Sequence, residues 1–183
     1  MSQAHWAAEL ARKLLEVPLP RRWAHVQGVA ARARSLAPIL EDDADLLEAA
    51  AWLHDIGYSP ELADTGFHPL DGARCLRDVE HADAGLCSLV ANHSCAILEA
   101  DERGLAHALS SEFPSPDPKL NDALAYCDMT TTPTGDVVSV QDRLSEIIDR
   151  YGPHDVVTRF IRRAEPELVS SVTRTGQRLF LAQ

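Results

Sequence analysis

The sequence predicts an all-α fold, a single helical bundle, and three observations carry that prediction. Alanine and leucine fill 49 of the 183 positions, and both are strong helix formers. Aromatic residues make up only 5% of the chain, and no window alternates apolar with polar residues over strand length, the period a half-buried strand requires. Apolar residues instead recur at helical spacing between punctuating prolines and glycines.

Ser2 is placed to cap a first helix that carries Trp6, Leu10, Leu14 and Leu15 and is stopped by Pro18 and Pro20. Pro20 opens a second helix running to about residue 37, where Pro38 limits it. Trp23, Val26, Ala30 and Ala33 share one stripe of that helix, and His25, Gly28, Val29, Arg32 and Leu36 the adjoining one. Glu41, Asp42 and Asp43 suit the N-terminal dipole of a third helix. Its stretch 46–53 is apolar almost all round, so it reads as the central buried helix, with Gly57 as its stop. Pro69 opens a fourth helix through Leu76, and a fifth over 86–97 aligns Leu86, Leu89, Val90, His93 and Ile97. Residues 99–113 form a weaker helix before the clearest loop, PSPDP at 114–118. A sixth core helix puts Leu120, Leu124, Cys127 and Asp128 on one side, and Ser139 with Asp142 makes a capping box for the helix over 139–151. The stretch 153–182 reads as two helices broken near Glu165 and Pro166.

Charge narrows the function. The net charge is −11 and no stretch gathers the basic residues, which argues against a nucleic acid polymer or an anionic membrane as partner, although a local cationic pocket for a small anion remains open. No apolar run approaches the roughly 20 residues of a membrane span, and no leader pattern stands at the start. A cytoplasmic, soluble, one-domain protein is expected, with self-association into a homo-oligomer left open. Four cysteines without a CxxC pair read as free thiols rather than a zinc ribbon.

Several ionisable residues stand where an apolar one is expected. His93 follows Leu89 by four and Val90 by three, Asp128 follows Leu124 by four, and His54-Asp55 ends the most hydrophobic helix. Singly, each has another role open to it: a hydrogen-bonded core histidine, or an aspartate that caps a helix or pairs with arginine. Together they invite a metal ion, because imidazoles and carboxylates can share a buried cation that offsets their burial.

In order, His25, His54-Asp55 and Asp128 resemble the H…HD…D signature of the HD superfamily of metal-dependent phosphohydrolases. His68 in HPLDGA and His93 in VANHS extend the likeness to its dinuclear branch, H…HD…H…H…D, most similar to the HD-type diadenosine tetraphosphate hydrolases. RRWAHVQGV and AAAWLHDIGY resemble the flanking motifs, and the likeness covers about residues 20–130. It implies a single HD domain over 1–183, with the helices of 139–182 packing on the metal-binding core. It also implies one ion on His25, His54, Asp55 and Asp128, and a second on His68 and His93, with Asp55 bridging. Iron or manganese suits such a ligand set better than zinc.

The implied activity is hydrolysis of a nucleotide or other small phosphate ester through a metal-activated hydroxide, with Asp55 and Arg22 catalytic and Arg22 and Tyr58 contacting substrate. Thr131, in the run of threonines after Asp128, is placed either to line the pocket against substrate or to cap a turn. Tyr58 departs from the pattern, since many HD phosphodiesterases carry lysine there. That departure favours one alternative, a mixed-valent di-iron oxygenase, and a ligand-binding regulatory module that keeps the metal site without turnover is a third reading. His154-Asp155 repeats the dipeptide but opens a helix after Gly152-Pro153, so Asp155 is read as a first-turn residue. His5, His81 and His107 match no motif position and read as surface or supporting residues.

Overall fold

A computed structural model describes residues 2–182, and among these the only β pairing is an isolated antiparallel bridge between Thr131 and Val137. The chain is all-α. Helix α1 (Gln3–Leu15) begins where Ser2 Oγ accepts from the His5 amide, and α2 (Pro20–Ser35) carries its proline in the first turn, where a missing N–H costs nothing. A short α3 (Ala37–Leu40) precedes α4 (Ala44–Leu53). Because its flanks bury Leu47, Ala49, Ala50 and Leu53 completely, α4 is the helix on which α1 and α2 pack. Truncating Leu47 or Leu53 to alanine would cost about 2–5 kcal/mol.

Helices α5 (His68–Asp78), α6 (Ala84–Asn92), α7 (Ala96–Glu102) and α8 (Ala106–Glu112) follow, and α9 (Pro118–Met129) returns through the middle of the molecule. One face of α9 joins Leu120, Ala123, Leu124 and Cys127 to the main core. Another joins Ala125 and Met129 to a second core built with α10 (Val140–Tyr151) and α11 (Val156–Leu181). No helix of the described residues is long and apolar enough to cross a membrane.

Four expectations change. The helix expected over 86–97 ends at Asn92, because Ser94 and Cys95 both adopt left-handed backbone conformations (φ 48° and 61°). The register turns there, and Ile97 is exposed rather than buried. The weak helix of 99–113 is two pieces, α7 and α8, separated at Gly104 with φ 71°. The stretch 153–182 is one helix, not two: Pro166 lies on the exposed face of α11, where water can satisfy the carbonyl it orphans, while Ala164 and Leu168 bury the other face.

Gly57, finally, is not a left-handed stop. A Cβ there would lie 2.0 Å from the His68 carbonyl oxygen, so the glycine lets the start of α5 press against the turn that follows α4.

Candidate metal centre

The close approach at Gly57 brings His68 beside Asp55. Asp55 sits between the end of α4 and a 3₁₀ turn (Ile56–Tyr58), so the chain bends immediately after the His54-Asp55 pair. Both side chains thereby reach one space, which mid-helix neighbours diverging by about 100° could not do. The left-handed pair Ser94-Cys95 does the same service after α6. It turns the chain so that Ser94 meets Asp128, whose Oδ2 accepts its hydroxyl at 2.6 Å, while His93 Nε2 lies 3.3 Å from His68 Nε2. Two consecutive non-glycine residues in that region cost about 1–2 kcal/mol each.

Three imidazoles are oriented from behind. Nδ1 of His54 donates to the Ala51 carbonyl at 2.8 Å, and Nδ1 of His93 donates to the Val90 carbonyl at 2.7 Å. Nδ1 of His25 donates to the Thr132 carbonyl at 2.9 Å. A carbonyl oxygen only accepts, so each neutral ring carries its proton on Nδ1 and presents a bare Nε2 lone pair to the centre. For His54 and His93 the accepting carbonyl lies three residues back in the last turn of the ring's own helix, where carbonyls lack an intrahelical partner. Each of these rings therefore caps a helix end and aims a ligand atom at once.

The atoms that meet are acceptors. His25, His54 and Asp128 can offer ligand atoms all within 4.8 Å of one another, and Asp55, His68 and His93 form a second such group. Asp55 spans both. Its Oδ1 lies 3.2 Å from His68 Nε2, while its Oδ2 lies 3.5 Å from His54 Nε2 and 3.9 Å from His25 Nε2. Nε2 of His54 is fully buried with no hydrogen-bond partner among the described residues. Such a convergence of lone pairs and carboxylates fits divalent cations, which mixed imidazole and carboxylate oxygen ligands bind well.

Electrostatics agree. Burial opposes ionisation of Asp55, but the charge of Arg22 and the neighbouring His54 and His68 outweigh it and hold the carboxyl well below the usual range. Burial likewise opposes ionisation of Asp128, yet the contacts with His25 and His54 hold its carboxyl well below the usual range. Burial pushes His68 down to about 4 against the pull of Asp55, and it lowers His93 too. Both rings are therefore unprotonated at neutral pH, the state a ligand needs.

Arg22 Nη1 donates to Asp55 Oδ2 at 2.7 Å, and its guanidinium lies 3.9 Å from the Tyr58 ring centroid. That ring stacks on His68 at 3.9 Å. Tyr58 thus lies between Arg22 and His68 and holds both by contact.

Eight of the nine side chains expected from the sequence come together here. Thr131 does not: its hydroxyl donates to the Cys127 carbonyl at 2.7 Å and its methyl faces Gly28, so it braces the turn after α9. Gly28 makes room for that turn, since a Cβ there would lie 2.4 Å from the Gly135 carbonyl. His154 is exposed and Asp155 accepts from the Val157 amide, capping α11. His5, His81 and His107 are exposed as well.

The cavity above the centre is also lined by residues the sequence reading passed over: Ser94, Glu99, Arg143 and Arg150, with an apolar wall that includes Ile147 and Phe160. Arg143 carried a readable signal. It falls among Val140, Leu144 and Ile147 on the buried stripe of α10, as His93 falls in line with Leu89 and Val90 at the end of α6.

The family model for the HD domain matches residues 22–150, a span that holds every one of the six histidine and aspartate groups at the centre. No curated protein and no solved structure matches the chain.

Proposed function

Starting from the fact that the chain belongs to the HD domain family, we propose that it is a phosphohydrolase working with two divalent cations on a nucleotide or other small phosphate ester. One observation supports this reading above the rest: the two oxygens of Asp55 face two different groups of ligand atoms. A carboxylate so placed can be shared between two cations, and the remaining ligands divide into His25, His54 and Asp128 on one side and His68 and His93 on the other. Bound there, such cations supply a nucleophile from water and positive charge for a phosphoryl oxygen.

The chain's own groups do the rest. Arg22 keeps one N–H on Asp55 and has others to direct at a phosphoryl oxygen. Ser94 fixes the rotamer of Asp128. Ile147 and Phe160 exclude bulk water from one wall, which strengthens every charge interaction inside.

The test is elemental analysis of anaerobically purified protein beside a panel of phosphate esters. About two metal equivalents with phosphate release supports the reading. Iron near two per chain, oxygen-dependent signals and no phosphate release would replace it with an oxygenase, and bound metal with neither outcome would leave a ligand-binding module.

A further inference from the structure

Arg143 is the least comfortable residue of the second core. Its side chain is only 5% exposed, it stands on the apolar face of α10, and its Nε has no hydrogen-bond partner among the described residues. A buried guanidinium with idle donors is expensive unless a ligand completes it. Among the described residues its one ionic partner is Glu146, which it holds through Nη1. That carboxylate also lies 3.5 Å from Arg150 Nε, so two cations share one anion.

Their place gives the arginines meaning. The cavity over the histidine-aspartate centre and an outer groove lined by Pro18, Pro20 and Pro133 are separate hollows, yet Arg22, Arg143 and Arg150 border both. In a chain of net charge −11, three guanidiniums thus gather at one boundary. Arg22 is committed to Asp55 through one nitrogen. Arg143 and Arg150 outnumber their single carboxylate.

Building on the phosphohydrolase reading, we infer that Arg143 and Arg150 bind a second anionic group of the substrate, so that the preferred substrate carries two linked phosphates rather than one. The scissile phosphate faces the histidine-aspartate centre, and the second lies against the two guanidiniums at the mouth. Arginine suits that task because its planar fork meets a phosphate through two N–H donors. Arg150, one third exposed, can meet an incoming anion, while Arg143 is held rigid by its surroundings.

The experiment compares methylphosphonate with methylenediphosphonate, one and two anionic groups joined through carbon so that hydrolysis does not intervene. Binding to manganese-loaded protein is measured anaerobically by calorimetry at saturating free manganese, for wild type, Arg150→Gln, Arg150→Lys and Arg143→Gln, with circular dichroism as the check on folding. Wild type should prefer the diphosphonate by about tenfold or more, the worth of one charge-assisted pair. Arg150→Gln should erase most of that preference, and Arg150→Lys should recover part of it.

A wild type without preference, or an Arg150→Gln variant that weakens both probes equally, overturns the inference. Because Arg150 is partly solvent-exposed, its variants test the inference whether or not Arg143→Gln folds. If the preference holds while the ester panel yields no phosphate, the anion site stands and the phosphohydrolase reading falls.

Discussion

Asp122 and Asp128 lie on the same helix, six residues apart, and each is 8% exposed. Their surroundings are opposite. Asp122 faces α11, where Arg174 gives it two hydrogen bonds of 2.7 and 2.6 Å. Asp128 faces α2 and α4, where it meets the lone pairs of His25 and His54 at 3.1 and 3.9 Å. The first carboxylate is neutralised by a partner the chain provides, as structural charges are. The second accepts one hydroxyl, that of Ser94, and its other oxygen meets further acceptors, which a cation or protons would reconcile. Burial alone therefore does not mark a functional carboxylate; the character of its neighbours does.

Substitutions on the two sides test that contrast. Asp55→Asn has the largest expected effect. It keeps size and removes the charge that both ligand groups share, so turnover should fall at least about 100-fold, with most of the metal lost. Retained metal by elemental analysis would show that the acceptor cluster is an ordinary polar core. His68→Ala should keep the helical circular dichroism signal and lose about one metal equivalent with most turnover. Unchanged metal and turnover would reduce the centre to one group of ligands.

Asp122→Asn should leave metal content alone and lower stability by about 1–2 kcal/mol, because Arg174 is partly solvated. Burial would raise the Asp122 carboxyl, but the hydrogen bonds from Arg174 prevail and hold it below its ordinary value. That contribution is complete above about pH 4, the unfolded-state value, and drains away as pH falls through the folded one. Acid denaturation curves should therefore be shallower for the variant than for wild type below pH ~4. Asp155→Asn, in the second His-Asp pair, should change stability by less than about 0.5 kcal/mol, since asparagine caps as well as aspartate. Metal loss from that variant would mean the wrong dipeptide faces the metal.

The contrast also marks what could be read from the sequence. Ionisable residues on apolar stripes exposed His93 and Asp128, and the order of motifs added His25, His54, Asp55 and His68. The same stripe rule would have found Arg143, which no metal-ligand pattern points to. The break at Ser94-Cys95 was not legible, because left-handed turns are signalled by glycine and neither residue is one. Pro166 misled for a related reason: its penalty is local, while the burial of Ala164 and Leu168 that carries α11 through it is tertiary. Gly57 was legible as special but not in kind, since whether a glycine serves rotation or proximity depends on what lies opposite, and here that is the His68 carbonyl at the start of another helix.

The double duty of His54 and His93 sets an order of events. In small zinc domains the ligands come to rest only when the ion arrives, and folding and loading are one step. Here the bonds that fix the two rings belong to helix ends, so the conformational entropy of those side chains is surrendered when α4 and α6 form. A cation bound there would meet rings already aimed at it, so loading would follow folding rather than drive it.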